Sequence, residues 1–209
     1  NFLAVIDNGL DVKTNRKVLE NSKKYSIIKP ALGLYPSHAI ELTNDEMHLY
    51  SRQILLDGWD IEAQEKLKLA NVLIIGAGGI GCTSAELLAR AGVGKITIVD
   101  ADTIEMSNLQ RQIAFTPNDI GRYKAEILAK HLQVINPHIH VSYKNIRFDE
   151  TNADDLIQHQ DVVLDGCDNF TTRYLANAIC KKYQVPLISA SAIGFEGQMF
   201  MVESDSACY

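Results

Sequence analysis

Short apolar runs alternate with amphipathic helical patterns from Asn71 onwards. Val72–Ile75 is a strand-sized apolar run, whereas residues 82–91 and 122–135 carry apolar side chains at helical spacing. The second helical pattern ends at Asn136-Pro137, because the residue before a proline disfavours helical backbone. Strands that alternate with helices predict an α/β fold with a doubly wound, mostly parallel sheet of the Rossmann type. Further strands are predicted at residues 95–100, 138–143, 161–165, 187–190 and 198–202, and further helices at residues 151–158 and 171–183.

The first 42 residues predict a small unit of their own. Residues 2–6 and 27–34 are apolar and strand-like, and the polar residues 13–25 between them have a helical pattern. This order predicts a β-α-β extension that ends at residue 42.

A larger domain is predicted at residues 43–209. Thr43 and Glu46 have the spacing of a capping box, in which each side chain accepts a hydrogen bond from the other residue's backbone N–H. A helix is therefore predicted over residues 44–56, followed by a short helix over residues 62–69.

Composition and charge narrow the classes of function. The 209 residues are 46% apolar and 22% charged, which is ordinary for a globular protein, and no run approaches the length of a transmembrane helix. A net charge of −6 without a basic stripe argues against nucleic acid or an anionic membrane as the main partner. The four cysteines lack a secreted-type spacing and no signal peptide precedes them, so the cytoplasm is the expected compartment.

A glycine-rich loop is the first candidate site. Gly76-x-Gly78-x-x-Gly81 follows a predicted strand and opens a helix, where backbone N–H groups can bind phosphates. Asp100 ends the next strand, 19 residues after Gly81, and its carboxylate suits ribose hydroxyls. The alternative is a tight strand–helix turn without a ligand, and the motif does not separate NAD or FAD from ATP.

Polar and charged side chains follow at the ends of other strands. The segment from Ser107 to Gln112 offers amides and the Arg111 guanidinium, which suits a triphosphate, although a solvated polar loop would have the same composition. Lys124 begins a helix, where the helix dipole disfavours a cation unless an anion compensates; Arg122 is an equally basic candidate. Asp168 could hold Mg²⁺, and Asp168 or Asn169 could cap the next helix; the two roles can coexist.

These motifs, in this order, resemble the ThiF/MoeB/HesA family, relatives of the ubiquitin-activating enzymes, from about Leu42 to Tyr209. The resemblance is carried by Tyr50-Ser51-Arg52-Gln53-Ile54, Gly76-x-Gly78-Gly79-x-Gly81, Asp100-x-Asp102, Ser107-Asn108-Leu109-Gln110-Arg111-Gln112, Gly121-x-x-Lys124, Cys167-Asp168-Asn169, Ser189-Ala190-Ser191-Ala192, Gly197-Gln198 and Cys208-Tyr209.

The resemblance implies an ATP-dependent adenylyltransferase that activates the C-terminal glycine of a ubiquitin-like sulfur-carrier protein and releases pyrophosphate. It favours Lys124 over Arg122 as the triphosphate ligand and gives Asp168 a role at Mg²⁺ and the α-phosphate. It also implies a homodimer in which Arg52 reaches the active site of the partner subunit. The implied catalytic residues are Arg52, Arg111, Lys124 and Asp168, and the implied nucleotide-binding residues are Gly76, Gly78, Gly79, Gly81, Asp100, Asp102, Ser107, Asn108, Gln110, Arg111, Lys124, Asp168 and Asn169.

A structural zinc site is also implied, but only in part. Cys208 matches the first cysteine of the family's CxxC half-site, and the other three ligands would follow Tyr209. The chain is therefore expected to be a fragment that does not hold Zn²⁺ tightly. Cys82, Cys167 and Cys180 match no sulfur-handling cysteine and are expected to be small buried residues.

The segment at residues 1–42 resembles a different family, the TatD-type metal-dependent deoxyribonucleases. Gly9-Leu10-Asp11 and Ala31-Leu32-Gly33-Leu34-Tyr35-Pro36 carry the likeness, but the family's HxH metal pair is not in the chain. No nuclease activity is expected, and the segment is interpreted as a fusion remnant or as a lineage-specific extension.

Three functions compete on the sequence alone. The first is sulfur-carrier adenylation, in either the thiamine or the molybdopterin branch. The second is an NAD-dependent oxidoreductase, in which Asn108, Arg111, Lys124 and Asp168 would have no task. The third is a nucleotide-binding module that truncation has made inactive.

Overall fold

The computed structural model describes residues 5–8, 24, 28–31 and 42–203, which fall into two compact units, Asn1–Glu65 and Lys66–Tyr209. In the first unit, strands β1 (Val5–Asn8) and β2 (Ile28–Ala31) pair in parallel, as a β-α-β extension requires. Lys24 is helical, and the rest of the helix predicted between these strands lies outside the described residues.

The helical segment after residue 43 begins as predicted but is shorter. The Thr43 side chain accepts from the backbone N–H of Glu46 at 3.2 Å, and the Glu46 carboxylate accepts from that of Thr43 at 2.8 Å, so the capping box is confirmed. The single helix predicted over residues 44–56 is wrong, because Tyr50 interrupts it and Leu55 and Leu56 remain exposed, so that burial does not favour a longer helix. The helices are α1 (Asn44–Leu49), α2 (Ser51–Ile54) and α3 (Ile61–Leu69).

The second unit is a six-stranded sheet that confirms the predicted α/β fold. Five strands are parallel, and the last strand joins the edge antiparallel to its neighbour. The strands are β3 (Asn71–Ile75), β4 (Lys95–Val99), β5 (His140–Lys144), β6 (Val162–Asp165), β7 (Leu187–Ile193) and β8 (Glu196–Val202), in the order β5-β4-β3-β6-β7-β8. The helices that follow them are α4 (Gly79–Ala91), α5 (Lys124–Ile135), α6 (Ala153–Ile157) and α7 (Phe170–Tyr183).

Both faces of the sheet are packed, which explains the uninterrupted apolar run at β3. Val72 and Ile74 belong to one buried cluster, with residues of α4 and α5, whereas Leu73 and Ile75 belong to a second cluster, with residues of α6 and α7. A strand that is buried on both faces needs apolar side chains at successive positions rather than at alternate ones.

The strand order places a crevice beside β3. The chain passes from β3 to β4 and β5 on one side, and then returns to β6 on the other side of β3. The loops that leave β3 and β6 therefore diverge to opposite faces, and ligands of doubly wound sheets bind outside the carboxyl ends of the strands at such a point. In the described part of the chain, no helix combines the length and apolar character needed to cross a membrane.

Candidate nucleotide-binding site

The glycine loop after β3 is shaped by close backbone contacts at two of its glycines. Gly76 has a φ of +95°, and a Cβ there would lie 3.1 Å from the carbonyl oxygen of Gly166. A Cβ on Gly81 would lie 1.9 Å from the carbonyl oxygen of Gly76, which no side chain can tolerate. Gly78 is different, because a Cβ there would meet nothing within 4 Å. The middle of the loop is therefore open, at the N-terminus of α4, where an anion is favoured.

Asp100 connects the glycine loop to the end of β4. Its two carboxylate oxygens accept hydrogen bonds from the backbone N–H groups of Ala77 and Asp102, each at 2.7 Å. Burial raises the pKa of this carboxyl above its ordinary value, although the two backbone hydrogen bonds oppose that shift. Asp100 thus orders the loop, and each oxygen retains a lone pair that could accept from a ribose hydroxyl.

The polar segment predicted from the sequence reaches the glycine loop through Arg111. The Arg111 side chain is exposed and donates to the carbonyl oxygen of Ser107 at 3.1 Å. It also packs against Gly79, because a Cβ added to that glycine would lie 3.5 Å from the Cγ of Arg111. Asn108 is buried, and its side-chain oxygen accepts from the backbone N–H of Glu105 at 2.9 Å. Asn108 therefore shapes the turn that presents Arg111, while Gln110 is exposed nearby in sequence.

Lys124 and Arg122 have different environments. The Lys124 ammonium lies 2.8 Å from a carboxylate oxygen of Asp102, and its side chain is almost fully buried. Arg122 is exposed and forms ion pairs with Asp119 at 3.2 Å and Glu126 at 3.8 Å. Because Asp102 also contacts Asp100, Lys124 is connected to the glycine loop through two carboxylates, whereas Arg122 belongs to a surface network.

The sequence left open whether Asp168 or Asn169 caps α7, and the structure assigns the cap to Asn169. The Asn169 side chain accepts from the backbone N–H of Thr172 at 2.9 Å, so Asn169 is the N-cap of α7. Asp168 is exposed, and among the described residues no hydrogen bond or ion pair engages its carboxylate. Mg²⁺ is usually bound by one or two carboxylates together with substrate phosphates, so an exposed single acid at this edge fits that ion. Within the described ranges no group of three metal-ligating side chains occurs.

A buried polar network beneath the Asp168 loop was missed in the sequence. Asp165 accepts from Arg173 Nε at 2.8 Å and from Ser189 Oγ at 2.6 Å. All three residues are buried. Arg173 lies one turn into α7, and only its position soon after Asp168 could have singled it out. Gln112 ends the predicted polar segment, and its buried side-chain oxygen has no hydrogen-bond partner in the part of the chain that the structure describes.

The cysteines agree only in part with their expected role. Cys82 and Cys180 are fully buried, as expected, and burial raises the pKa of each thiol to about 12. Cys167 is partly exposed, so the expectation that it is a buried residue is wrong; it lies in the loop between β6 and α7 rather than in a core. Its pKa is also raised to about 12, by burial and by Asp165, so its thiol is protonated at neutral pH. Cys208, the expected zinc ligand, lies outside the described residues.

Arg52, the residue implied to act across a dimer, lies on α2 in the first unit and is exposed. The other implied residues of the described ranges lie in the second unit, on the loops that leave β3, β4 and β6, in the first turn of α4 or at the start of α5. A model of the ThiF family matches residues 50–209. The chain belongs to the ThiF family.

Two curated relatives of this ThiF-family chain are adenylyltransferases by name. The molybdopterin-synthase adenylyltransferase of Salmonella typhimurium is 44% identical over 171 residues, which cover 81% of this chain and 69% of that protein. The protein "adenylyltransferase and sulfurtransferase MOCS3" of Culex quinquefasciatus is 39% identical over 201 residues, which cover 95% of this chain and 45% of that protein.

Solved structures agree with the ThiF-family fold. The tRNA N6-threonylcarbamoyladenosine dehydratase TcdA of Escherichia coli, in complex with ATP, superposes with a TM-score of 0.68 at 25% identity, covering 72% of this chain and 61% of that one. The chain thus spans less than two thirds of this structural neighbour and less than half of the MOCS3 relative.

Proposed function

We propose that this ThiF-family domain adenylates the C-terminal glycine of a ubiquitin-like sulfur-carrier protein with ATP. The observation that carries the proposal is that two cationic side chains are connected to the glycine loop, Arg111 by direct contact and Lys124 through hydrogen bonds. Arg111 packs against Gly79, and Lys124 is connected to Ala77 through Asp102 and Asp100. Triphosphate binding needs such cations, whereas hydride transfer to a nicotinamide has no use for them.

The reaction is a displacement at the α-phosphorus of ATP. The glycine carboxylate, already ionised at neutral pH, forms a bond from its oxygen to that phosphorus. The bond from phosphorus to the bridging oxygen breaks, and pyrophosphate leaves with the electron pair. The enzyme needs no proton acceptor for this step, so its task is to position the two anions and to neutralise charge.

The site residues divide that task. The open backbone at Gly78 and the N-terminus of α4 would bind phosphate oxygens, and Arg111 and Lys124 would neutralise the leaving pyrophosphate. Asp100 would hold the ribose, with Asp102, Ser107, Asn108, Gln110 and Asn169 around the nucleotide. Asp168 would hold Mg²⁺, which supplies charge neutralisation at the phosphates when bound.

The similarity at 44% identity to a molybdopterin-synthase adenylyltransferase favours the molybdopterin branch over the thiamine branch. The name MOCS3 couples adenylation to sulfur transfer, which supports a sulfur-carrier protein as the partner. We further propose a homodimer in which Arg52 of the partner subunit completes the site. Structural Zn²⁺ would require three further ligands in addition to Cys208. No step of the reaction depends on this zinc ion.

The test is ATP–pyrophosphate exchange with a purified ubiquitin-like sulfur-carrier protein that ends in glycine. We expect exchange only when the carrier protein and Mg²⁺ are both present, and we expect Asp168→Ala to abolish it. Because Asp168 is exposed and its carboxylate has no partner within the described ranges, the free energy of unfolding should change by less than about 0.5 kcal/mol.

Asp155→Ala is the matched control, since Asp155 is an exposed acid of α6 in the same unit. It should leave exchange unchanged. Carrier-dependent exchange that persists in Asp168→Ala would contradict the role of Asp168. Tight binding of ATP without any exchange would instead identify a nucleotide-binding module that does not adenylate.

A further inference from the structure

We propose that Arg173 and Asp165 are positioning residues that fix Asp168 at the reacting phosphate by clamping the backbone of Cys167. The inference rests on the proposed adenylation. Its evidence is a set of hydrogen bonds below the loop Gly166–Asp168, which connects β6 to α7.

The first half of the clamp is the Arg173 guanidinium. It is buried, and its Nε donates to Asp165 at 2.8 Å while its Nη2 donates to the carbonyl oxygen of Cys167 at 2.8 Å. Nη2 also lies 3.3 Å from the carbonyl oxygen of Ala190 on β7. The planar fork of an arginine can make these bonds in different directions at once, which a lysine ammonium on a flexible stem cannot reproduce.

The second half of the clamp is the Asp165 carboxylate. One oxygen accepts from the backbone N–H of Cys167 at 3.0 Å, and the other accepts from Arg173 and from Ser189 Oγ. The N–H and the C=O of Cys167 are therefore both held by buried side chains. That C=O belongs to the planar peptide bond that leads to Asp168, so the clamp also fixes the direction in which Asp168 leaves the loop.

The clamped loop lies directly against the glycine loop. A Cβ on Gly76 would be 3.1 Å from the carbonyl oxygen of Gly166 and 3.2 Å from the backbone nitrogen of Cys167. A Cβ on Gly166 would be 3.2 Å from the backbone nitrogen of Gly81. Because the two loops are in contact, a displacement of Cys167 changes the distance between Asp168 and a phosphate on the glycine loop.

The two acids at the end of β6 thus have separate tasks. Asp165 is buried and accepts hydrogen bonds from Cys167, Arg173 and Ser189. Asp168, three residues later, is exposed, and its carboxylate has no partner among the described residues. A buried ion pair is weak evidence for stability, because an apolar replacement is often as stable. Stability alone therefore does not explain the buried Arg173–Asp165 pair. The orientation of Asp168, the proposed Mg²⁺ ligand, gives the pair a function.

The test compares Arg173→Lys with the wild type in carrier-dependent exchange. Lysine keeps the positive charge beside Asp165 but loses the second branch of the fork, which holds Cys167. We expect kcat to fall by roughly 10- to 100-fold, because a displacement of a catalytic group by about 1 Å can lower the rate by that factor. The KM for ATP should change less than about threefold. Ser189→Ala, which removes one bond to Asp165 and leaves Arg173 in place, should lower kcat by a few fold.

Arg90→Lys is the matched control, because Nε and Nη2 of the exposed Arg90 on α4 also both donate, here to one carboxylate oxygen of Glu86 at 2.9 Å and 2.7 Å. It should leave kcat and KM unchanged. A wild-type kcat in Arg173→Lys would overturn the proposal. A loss of activity that equals the fraction of unfolded protein, and that disappears on cooling, would overturn it too. If Arg173→Lys does not fold, Ser189→Ala decides, and an unchanged kcat there counts against the clamp. Failure of the wild type to exchange at all would instead refute the adenylation proposal.

Discussion

The ammonium of Lys124 and a carboxylate oxygen of Asp102 lie 2.8 Å apart, with the lysine side chain 9% exposed and the aspartate side chain 70% exposed. A cation at the start of a helix faces the positive end of the helix dipole, so it requires a compensating anion. Asp102 is that anion, and its backbone carbonyl also accepts from the N–H of Lys124 at 2.9 Å. A bound triphosphate would therefore interact with a lysine that is already paired with Asp102, not with an unpaired cation.

Replacing Lys124 by methionine should weaken Mg-ATP binding by about 10- to 100-fold. The change removes a charged donor that Asp102 and Asp100 connect to the glycine loop, and a hydrogen bond to a charged group contributes about 1.5–3 kcal/mol. Arg122→Ala should leave the affinity within about twofold, because its guanidinium is engaged by Asp119 and Glu126 on the surface. Calorimetric titration of both variants with Mg-ATP makes the comparison. Equal losses in the two variants would show that the choice of Lys124 is wrong.

Substitution of Gly81 should affect the stability of the fold, whereas substitution of Gly78 should affect nucleotide binding. Gly81→Ala places a methyl group 1.9 Å from the carbonyl oxygen of Gly76, so backbone must move, and we expect a loss of about 2–3 kcal/mol in the free energy of unfolding. Gly78→Ala adds the same methyl group where nothing lies within 4 Å, at a φ of −81° that any residue adopts. Its stability should be close to that of the wild type.

Gly78→Ala should nevertheless weaken Mg-ATP binding, because the methyl group occupies the open space through which phosphates approach the backbone. Urea denaturation and nucleotide titration on the same two variants measure both effects. Mg-ATP affinity retained in Gly78→Ala would place the phosphates elsewhere.

Local patterns predicted most of the fold. The apolar runs at β3 and β4, the Thr43–Glu46 capping box and the proline after α5 act over a few residues, so a sequence displays them directly. The family motifs likewise named the loops that meet at the carboxyl edge of the sheet. The extent of the helix after Thr43 was wrong because its end is set by tertiary burial, not by the local pattern.

The contacts that organise the site could not be predicted in the same way. Asp165 and Ser189 are 24 residues apart, and Lys124 and Asp102 are 22 residues apart. Charge alone could say that Lys124 requires an anion, but not whether that anion is a ligand or another side chain. The carboxylate of Asp165 and the guanidinium of Arg173 become partners only when β6 and α7 pack, so no spacing rule singles them out.

Asn169 should contribute to stability as a helix cap. Asn169→Ala removes the acceptor for the N–H of Thr172, and we expect a loss of about 1 kcal/mol. Asn169→Asp keeps an oxygen at the same place and adds a charge that the helix dipole favours, so it should restore the stability. Thermal melts of the two variants are the measurement. Equal destabilisation by alanine and aspartate would mean that capping is not the role of Asn169.

The buried thiols should make the protein less stable at alkaline pH. The pKa of Cys82 and of Cys180 is raised from 9.0 to about 12, mainly by desolvation. Between these values the unfolded chain loses a proton that the folded protein keeps, so the stabilisation is complete below about pH 9 and is lost as the pH rises towards 12.

Each of these thiols should contribute a slope of up to about 1.4 kcal/mol per pH unit within that range. Urea denaturation at several pH values from 8 to about 11 should show Cys180→Ala losing stability less steeply than the wild type. Val163→Ala is the matched control, because it also removes volume from the buried cluster that contains Cys180 but removes no titrating group. It should be less stable at every pH and keep the wild-type slope. A slope in Cys180→Ala equal to that of Val163→Ala would show that the Cys180 thiol does not titrate with a raised pKa.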